Sequence, residues 1–180
     1  KTKVLFLCSP NNPTGNSFDI NDLNDLIKDF KGIVVVDEAY IDFSSQKSLI
    51  SLIDKHDNLI ITQTMSKAYG MAGIRLGMGF SNKNIISYIN KIKPPYNVNT
   101  LTENKVLKEL SKTDELKNNV SLILNQRKVL ISSLEKLDFV QKTYKSDANF
   151  LLMKVDNADL RYNQLLKKGI VVDIIETTKS

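Results

Sequence analysis

The chain has 180 residues, 42% of them hydrophobic and 25% charged, with a formal net charge of +5 at pH 7. These proportions exclude a disordered chain, and the length allows one ordinary domain or one with a small second part. No apolar run approaches the roughly 20 residues that cross a bilayer, and no basic, apolar leader opens the sequence, so a cytoplasmic setting is expected. The single cysteine, Cys8, has no partner for an internal disulfide, which suits a reducing compartment; in VLFLCS it reads as a small core residue.

KVLFLCS (3–9) is a short apolar run stopped by the turn residues PNNPTGN. FDINDLNDLIKDF (18–30) places Ile20, Leu23, Leu26, Ile27 and Phe30 on one helical face, and Asp19 or Asn21 can cap its start. GIVVVDEAY (32–40) is a continuous apolar run ending in acids, KSLISLID (47–54) reads as a short helix, and NLIITQTM (58–65) as a third strand. Strands apolar on both faces and alternating with helices predict a parallel sheet covered by helices.

RLGMGF (75–80) reads as a fourth strand, with glycines where backbone or ligand packs closely. NKNIISYINKIK (82–93) is helical and is broken by PPYN. TLTENKVLKELSK (100–112) and DELKNNVSLILNQRKVLISSLEKL (114–137) read as two helices, the second unusually long. FVQKTY and NFLLMKV are strand-like, 159–168 is helical, and GIVVDII follows.

The expected architecture is α/β, a mainly parallel sheet sandwiched by helices and followed by a smaller α+β C-terminal domain. The expected boundaries are 1–98 for the large domain, 99–137 for connecting helices including a long interdomain helix, and 138–180 for part of the small domain. Lysines are scattered along KDFK, NKNIISYINKIK and LLKKG without a basic stripe interleaved with aromatics, so neither nucleic acid nor membrane is an expected partner. The lone His56, in the polar turn DKHDN, has no histidine or cysteine companion, so no metal site is expected.

In an open parallel α/β sheet, ligands bind beyond the carboxyl ends of the strands. The three successive strand ends here are SPNNPTG, DEAY and TMSKAYGMAGIR. If the strands are neighbours, Asn12, Asp37, Tyr40, Ser66, Lys67 and Arg75 gather at one mouth. Lys67 stands out because it follows an apolar run and sits among small residues instead of in a polar surface stretch. Plainer roles exist for each residue: Asn12 as a turn former, Asp37 as a helix cap, Arg75 as half of a salt bridge, Lys67 as a solvated loop lysine. Glu38 reads as structural.

The motifs SPNNPTG (9–15), VVVDEAYIDF (34–43) and TMSKAYGMAGIRLG (64–77), in that order and each at a strand end, resemble those of the pyridoxal 5'-phosphate (PLP) enzymes of fold type I. The resemblance is greatest to the histidinol-phosphate aminotransferase family. It implies PLP as cofactor, a small-molecule amino donor and a 2-oxo acid acceptor, and a homodimer when full length. The implied reaction is the exchange between histidinol phosphate and 2-oxoglutarate in histidine biosynthesis. Another fold type I aminotransferase, an amino-acid-phosphate decarboxylase, or an inactive fragment of such an enzyme remain alternatives.

By the same resemblance Lys67 carries the cofactor covalently and then moves a proton, so it is the catalytic candidate. Asp37 pairs with the ring nitrogen, which stays protonated beside a carboxylate. Asn12 and Tyr40 serve the ring hydroxyl; Ser66 and Arg75 hold the phosphate, for which a guanidinium is suited. SDANFLLMKV (146–155) resembles the strand after the long helix in these enzymes, and Asn149 there fits an edge strand or the substrate entrance.

The family's chains are longer. Their N-terminal part carries much of the phosphate-binding loop, the aromatic that stacks on the ring, and a tyrosine lent to the partner subunit. They also have an arginine after GIVV and another in a later strand; here GIVV is followed by Asp173 and then IIETTKS. The expectation is a fragment, or a chain with residues lost near position 172, that binds PLP weakly alone and exposes apolar surface another chain would cover. A reading from a different class takes VVVDEA as the acidic strand end of a nucleotide triphosphatase. That reading needs a glycine-rich loop ending in Gly-Lys-Ser/Thr, which this sequence lacks.

Overall fold

The computed structural model describes residues 1–175. Strands β1 (Val4–Cys8), β2 (Ile33–Asp37), β3 (Leu59–Thr64) and β4 (Gly77–Ser81) form one four-stranded sheet in that order. The first three are parallel, and β4 runs antiparallel to β3. The sheet is therefore mixed. The parallel part carries the helical connections expected of it, whereas the segment between β3 and β4 doubles back without a crossover helix, which only an antiparallel neighbour allows.

One face of the sheet is the main core. Val34, Val36, Leu59 and Ile61 are fully buried there, packed with Leu23 and Ile27 of helix α1 (Ile20–Asp29) and with Leu49. Between the two capping candidates, Asp19 takes the role: its carboxylate accepts the backbone N–H groups of Asn21 and Asp22. KSLISLID forms a 3-10 segment over Leu49–Lys55 instead of an α-helix. Its start is held from outside: Glu38, fully buried, accepts the Ser48 hydroxyl at 2.5 Å, Leu49 N at 2.7 Å and Gln63 Nε2 at 2.9 Å.

Alternation along the strands sends Val4, Phe6 and Cys8 to the other face, in rows with Ile33, Val35 and Asp37. The β1 end of that face is open: Phe6 is 71% exposed.

Helices α2 (Lys83–Ile92) and α3 (Thr100–Leu110) begin at Asn82 and Asn99, whose side chains accept Ile85 N and Thr102 N. The long helix α4 (Thr113–Leu134) lays Leu116, Val120, Ile123 and Leu124 against Tyr40, Phe43, Ala68 and Ala148. Beyond it, β5 (Val140–Thr143) and β6 (Met153–Val155) pair antiparallel, and α5 (Ala158–Leu166) follows. GIVVDII forms no strand: Ile170–Ile175 join no strand ladder among the described residues, and Val171 is 72% exposed. Residues 176–180, the end of IIETTKS, lie outside the described residues. No helix of the described residues is long and apolar enough to cross a membrane.

Candidate active site

The parallel register sets the site. Cys8 stands opposite Asp37, and Asp37 opposite Thr62, so the last residues of β1 and β2 and a residue near the end of β3 lie in one row on one face. The loops that leave this row carry the remaining candidates.

After β1 the chain turns sharply. Asn11 N donates to Asn16 O at 2.8 Å and Gly15 N to Asn11 O at 2.7 Å. Gly15 has φ +77, a conformation that favours glycine, and the Ser9–Pro10 and Asn12–Pro13 peptide bonds are cis. This tight loop puts Asn12 at its tip. The Asn12 amide donates to the Tyr40 hydroxyl at 3.1 Å.

Tyr40 is the hub. It is 7% exposed, buried between α4 and the loop before β6. Its ring meets Phe150 edge-on at 5.2 Å, and the Lys67 Nζ stands over it at 5.1 Å from the centroid. Amide and amine from two other strand ends thus both meet the Tyr40 side chain, one at its hydroxyl and one over its ring. Lys67 itself is solvent-exposed, held over an aromatic face and not enclosed among apolar groups.

Asp37 is half-buried. Its Oδ1 accepts Ala39 N at 3.1 Å, which caps the turn after β2, and the Thr62 hydroxyl at 3.2 Å. Oδ2 accepts no hydrogen bond among the described residues. On the opposite side Cys8 has its thiol pushed up from the ordinary value, chiefly by burial and further by the Asp37 charge.

Ser66 and Arg75 flank the neck of the β3–β4 loop. Met65 N donates to Leu76 O at 3.2 Å there, which leaves Ser66 and Arg75 as the next residue in from each side. Arg75 is exposed, adopts φ 56, donates to Ala72 O at 3.0 Å and makes no ion pair among the described residues. No hydrogen bond joins Arg75 to Ser66 or to Lys67 among the described residues. Asn12 and Lys67 therefore both meet Tyr40, Asp37 lies at the same sheet end, and Ser66 with Arg75 sits one loop away.

Glu38 has its carboxylate taken up by Ser48, Leu49 and Gln63, as a structural group requires and a water-activating one does not. Asn149 is exposed and touches none of the other candidates by hydrogen bond. Two participants were not legible in the sequence. Thr62 is an ordinary strand former whose hydroxyl matters only because register sets it beside Asp37. Phe150 approaches Tyr40 from far along the chain, anchored by a hydrogen bond from the Arg127 guanidinium to Ala148 O.

The model of the family described as aminotransferase class I and II matches residues 1–178. The chain belongs to this aminotransferase family. It is 54% identical over 171 residues to the histidinol-phosphate aminotransferase of Flavobacterium johnsoniae, a match that covers 95% of this chain and 49% of that protein. To the enzyme of the same name from Parabacteroides distasonis it is 53% identical over 171 residues, covering 95% of this chain and 50% of that one. Among solved structures, the histidinol-phosphate aminotransferase of Clostridium acetobutylicum superposes with a TM-score of 0.87 at 30% identity, over 94% of this chain and 53% of the other. The chain thus spans about half the length of the curated aminotransferases it matches.

Proposed function

We propose that the protein of which these residues form part is a PLP-dependent aminotransferase, acting on histidinol phosphate as donor and 2-oxoglutarate as acceptor. The observation that carries the reading is that Asn12 and Lys67 both meet Tyr40 at one sheet end, beside an Asp37 carboxylate whose Oδ2 accepts no hydrogen bond among the described residues. Family membership supports the same chemistry, and high identity to histidinol-phosphate aminotransferases supports the substrate.

The residues fit the cofactor. PLP, when bound, supplies a protonated pyridine ring that accepts the electron pair released at the substrate α-carbon. Asp37 is the anion that keeps a ring nitrogen charged. Asn12 and Tyr40, already hydrogen-bonded to each other, are the partners for a ring hydroxyl. Ser66 and Arg75 offer a hydroxyl and a guanidinium to a phosphate. Lys67 is the group that holds the cofactor and, once released, takes and returns a proton at the substrate carbon. Its exposed position over Tyr40 leaves its amine free to reach an incoming substrate.

The proposed domain division is a PLP-binding part over 1–98, connecting helices over 99–137 with α4 as the bridge, and a small α+β C-terminal domain beginning at 138. The whole protein works as a homodimer in the cytoplasm. Transamination of another amino acid, or decarboxylation of an amino-acid phosphate, would use the same cofactor residues.

The test uses the full-length protein. PLP is added, the product is reduced with borohydride, and the modified residue is mapped; Lys67 is the expected site, and Lys67→Ala carries none. Amino transfer from histidinol phosphate to 2-oxoglutarate is then measured. A protein that takes up no PLP, or attaches it elsewhere, overturns the reading.

A further inference from the structure

We infer that Thr62 is a positioning residue for Asp37: its hydroxyl decides which carboxylate oxygen faces the mouth of the site. This rests on Asp37 facing the cofactor as proposed above.

The argument begins with register. Asp37 and Thr62 are partners on adjacent parallel strands, so their side chains leave the same face side by side. A carboxylate at a strand end rotates freely unless both its plane and its oxygens are fixed. Here Oδ1 is fixed twice, by Ala39 N at 3.1 Å and by the Thr62 hydroxyl at 3.2 Å. The first bond closes a local turn and ties Oδ1 to its own chain. The second comes from the next strand, which the sheet holds rigidly, and it sets the plane. With Oδ1 saturated, Oδ2 is the oxygen left for a cationic partner. On the β1 side the row offers only Cys8, whose thiol makes no hydrogen bond among the described residues. Among the described residues Thr62 is therefore the one side-chain donor to this carboxylate, and no other side chain in the row replaces it.

Thr62 fits the task. Its own position is fixed because a β-branched side chain in a strand has few χ1 choices. Its hydroxyl is half-buried and donates to a charged acceptor, the stronger class of hydrogen bond. Valine matches it in shape and lacks only the donor, so Thr62→Val removes the positioning bond with little change in packing.

The experiment compares full-length wild type, Thr62→Val, Thr62→Ser, Asp37→Asn and the double variant Thr62→Val/Asp37→Asn. Measured quantities are the dissociation constant for PLP by spectral titration, the pH dependence of the bound chromophore, and the thermal midpoint without cofactor. Thr62→Val is expected to weaken PLP about tenfold and to lower the pH at which the chromophore loses its ring proton. Thr62→Ser is expected to restore both, and the thermal midpoint to stay near wild type. In the double variant, Thr62→Val is expected to add nothing to Asp37→Asn. Wild-type PLP affinity in Thr62→Val, or additive losses in the double variant, overturns the positioning role and leaves the cofactor assignment standing. A wild-type protein without PLP uptake overturns both.

Discussion

Gly15 lies against Ser146 with no room for a side chain: a Cβ added to Gly15 would stand 2.8 Å from the Ser146 Oγ. The contact belongs to a clasp. Asp147 N donates to Gly15 O at 2.7 Å, and the Asp147 carboxylate accepts Ser17 N at 3.0 Å. The first strand-end loop, which carries Asn12, is thereby pinned to the segment that carries Phe150. Gly15→Ala meets both the clash and a positive φ, and is expected to destabilise the full-length protein by about 1–3 kcal/mol, read from urea unfolding. It should also weaken PLP binding, since Asn12 shares the loop. Unchanged stability would mean that the clasp is slack.

Tyr40 offers a cleaner separation of ring from hydroxyl. Tyr40→Phe keeps the edge contact with Phe150 and the face under Lys67, and removes only the bond from Asn12. The expected cost is about 0.5–1.5 kcal/mol of stability, with a severalfold loss of PLP affinity. Tyr40→Ala empties a buried site and should cost about 3–5 kcal/mol. Chemical denaturation of the two variants side by side distinguishes the hydroxyl from the ring.

Lys67→Ala should behave in the opposite way. The side chain is exposed and its aromatic contact is worth about 0.5–1 kcal/mol at such a site. The unfolding midpoint of the cofactor-free protein should therefore move little while the borohydride-reducible adduct vanishes. A large loss of stability would show that the lysine serves the fold.

For Glu38 the fold is the whole expectation. Glu38→Ala strands the Ser48 hydroxyl, Leu49 N and Gln63 Nε2 in the interior. A loss of about 3 kcal/mol or more is expected, with any residual folded protein still able to form the Lys67 adduct. Calorimetry with and without PLP checks both halves.

Cys8 provides a pH-dependent test of the row on the sheet face. Its thiol is pushed above the ordinary 9.0, first by burial and then by Asp37. The folded state therefore holds the proton more tightly than the unfolded chain. That contribution to stability is full below the unfolded value and is lost as pH rises through the folded one. Alkylation by iodoacetamide should lag that of an unfolded cysteine at pH 8–9. Asp37→Asn should shift the rate profile only part of the way back, because burial remains. A profile that does not move would separate the two side chains.

The strand ends were readable because the physics is local: an apolar run halted by acids or by Asn-Pro leaves few alternatives. The partnership of strands was not. RLGMGF carries no mark of direction, and β4 proved antiparallel because its loop has no helix to carry it across. KSLISLID has helical spacing, yet Glu38 takes its first donors and the segment winds as 3-10. GIVVDII has the composition of a strand, but a strand exists only with a neighbour. In the site, the family resemblance implies that Asn12 and Tyr40 serve one ligand group, and the fold joins them by a hydrogen bond. Thr62 could not be found this way: threonine is common in strands, and only the ladder tells which one stands beside the acid.

Among the described residues the sheet ends at β1, and on that flank its peptide groups have no ladder to join. Phe6 and Val4 lie bare beside them. An unpaired edge with a large aromatic next to it is adhesive. Held apart from the rest of its protein, this chain should scatter more light as its concentration rises, and Phe6→Lys should keep such solutions clear.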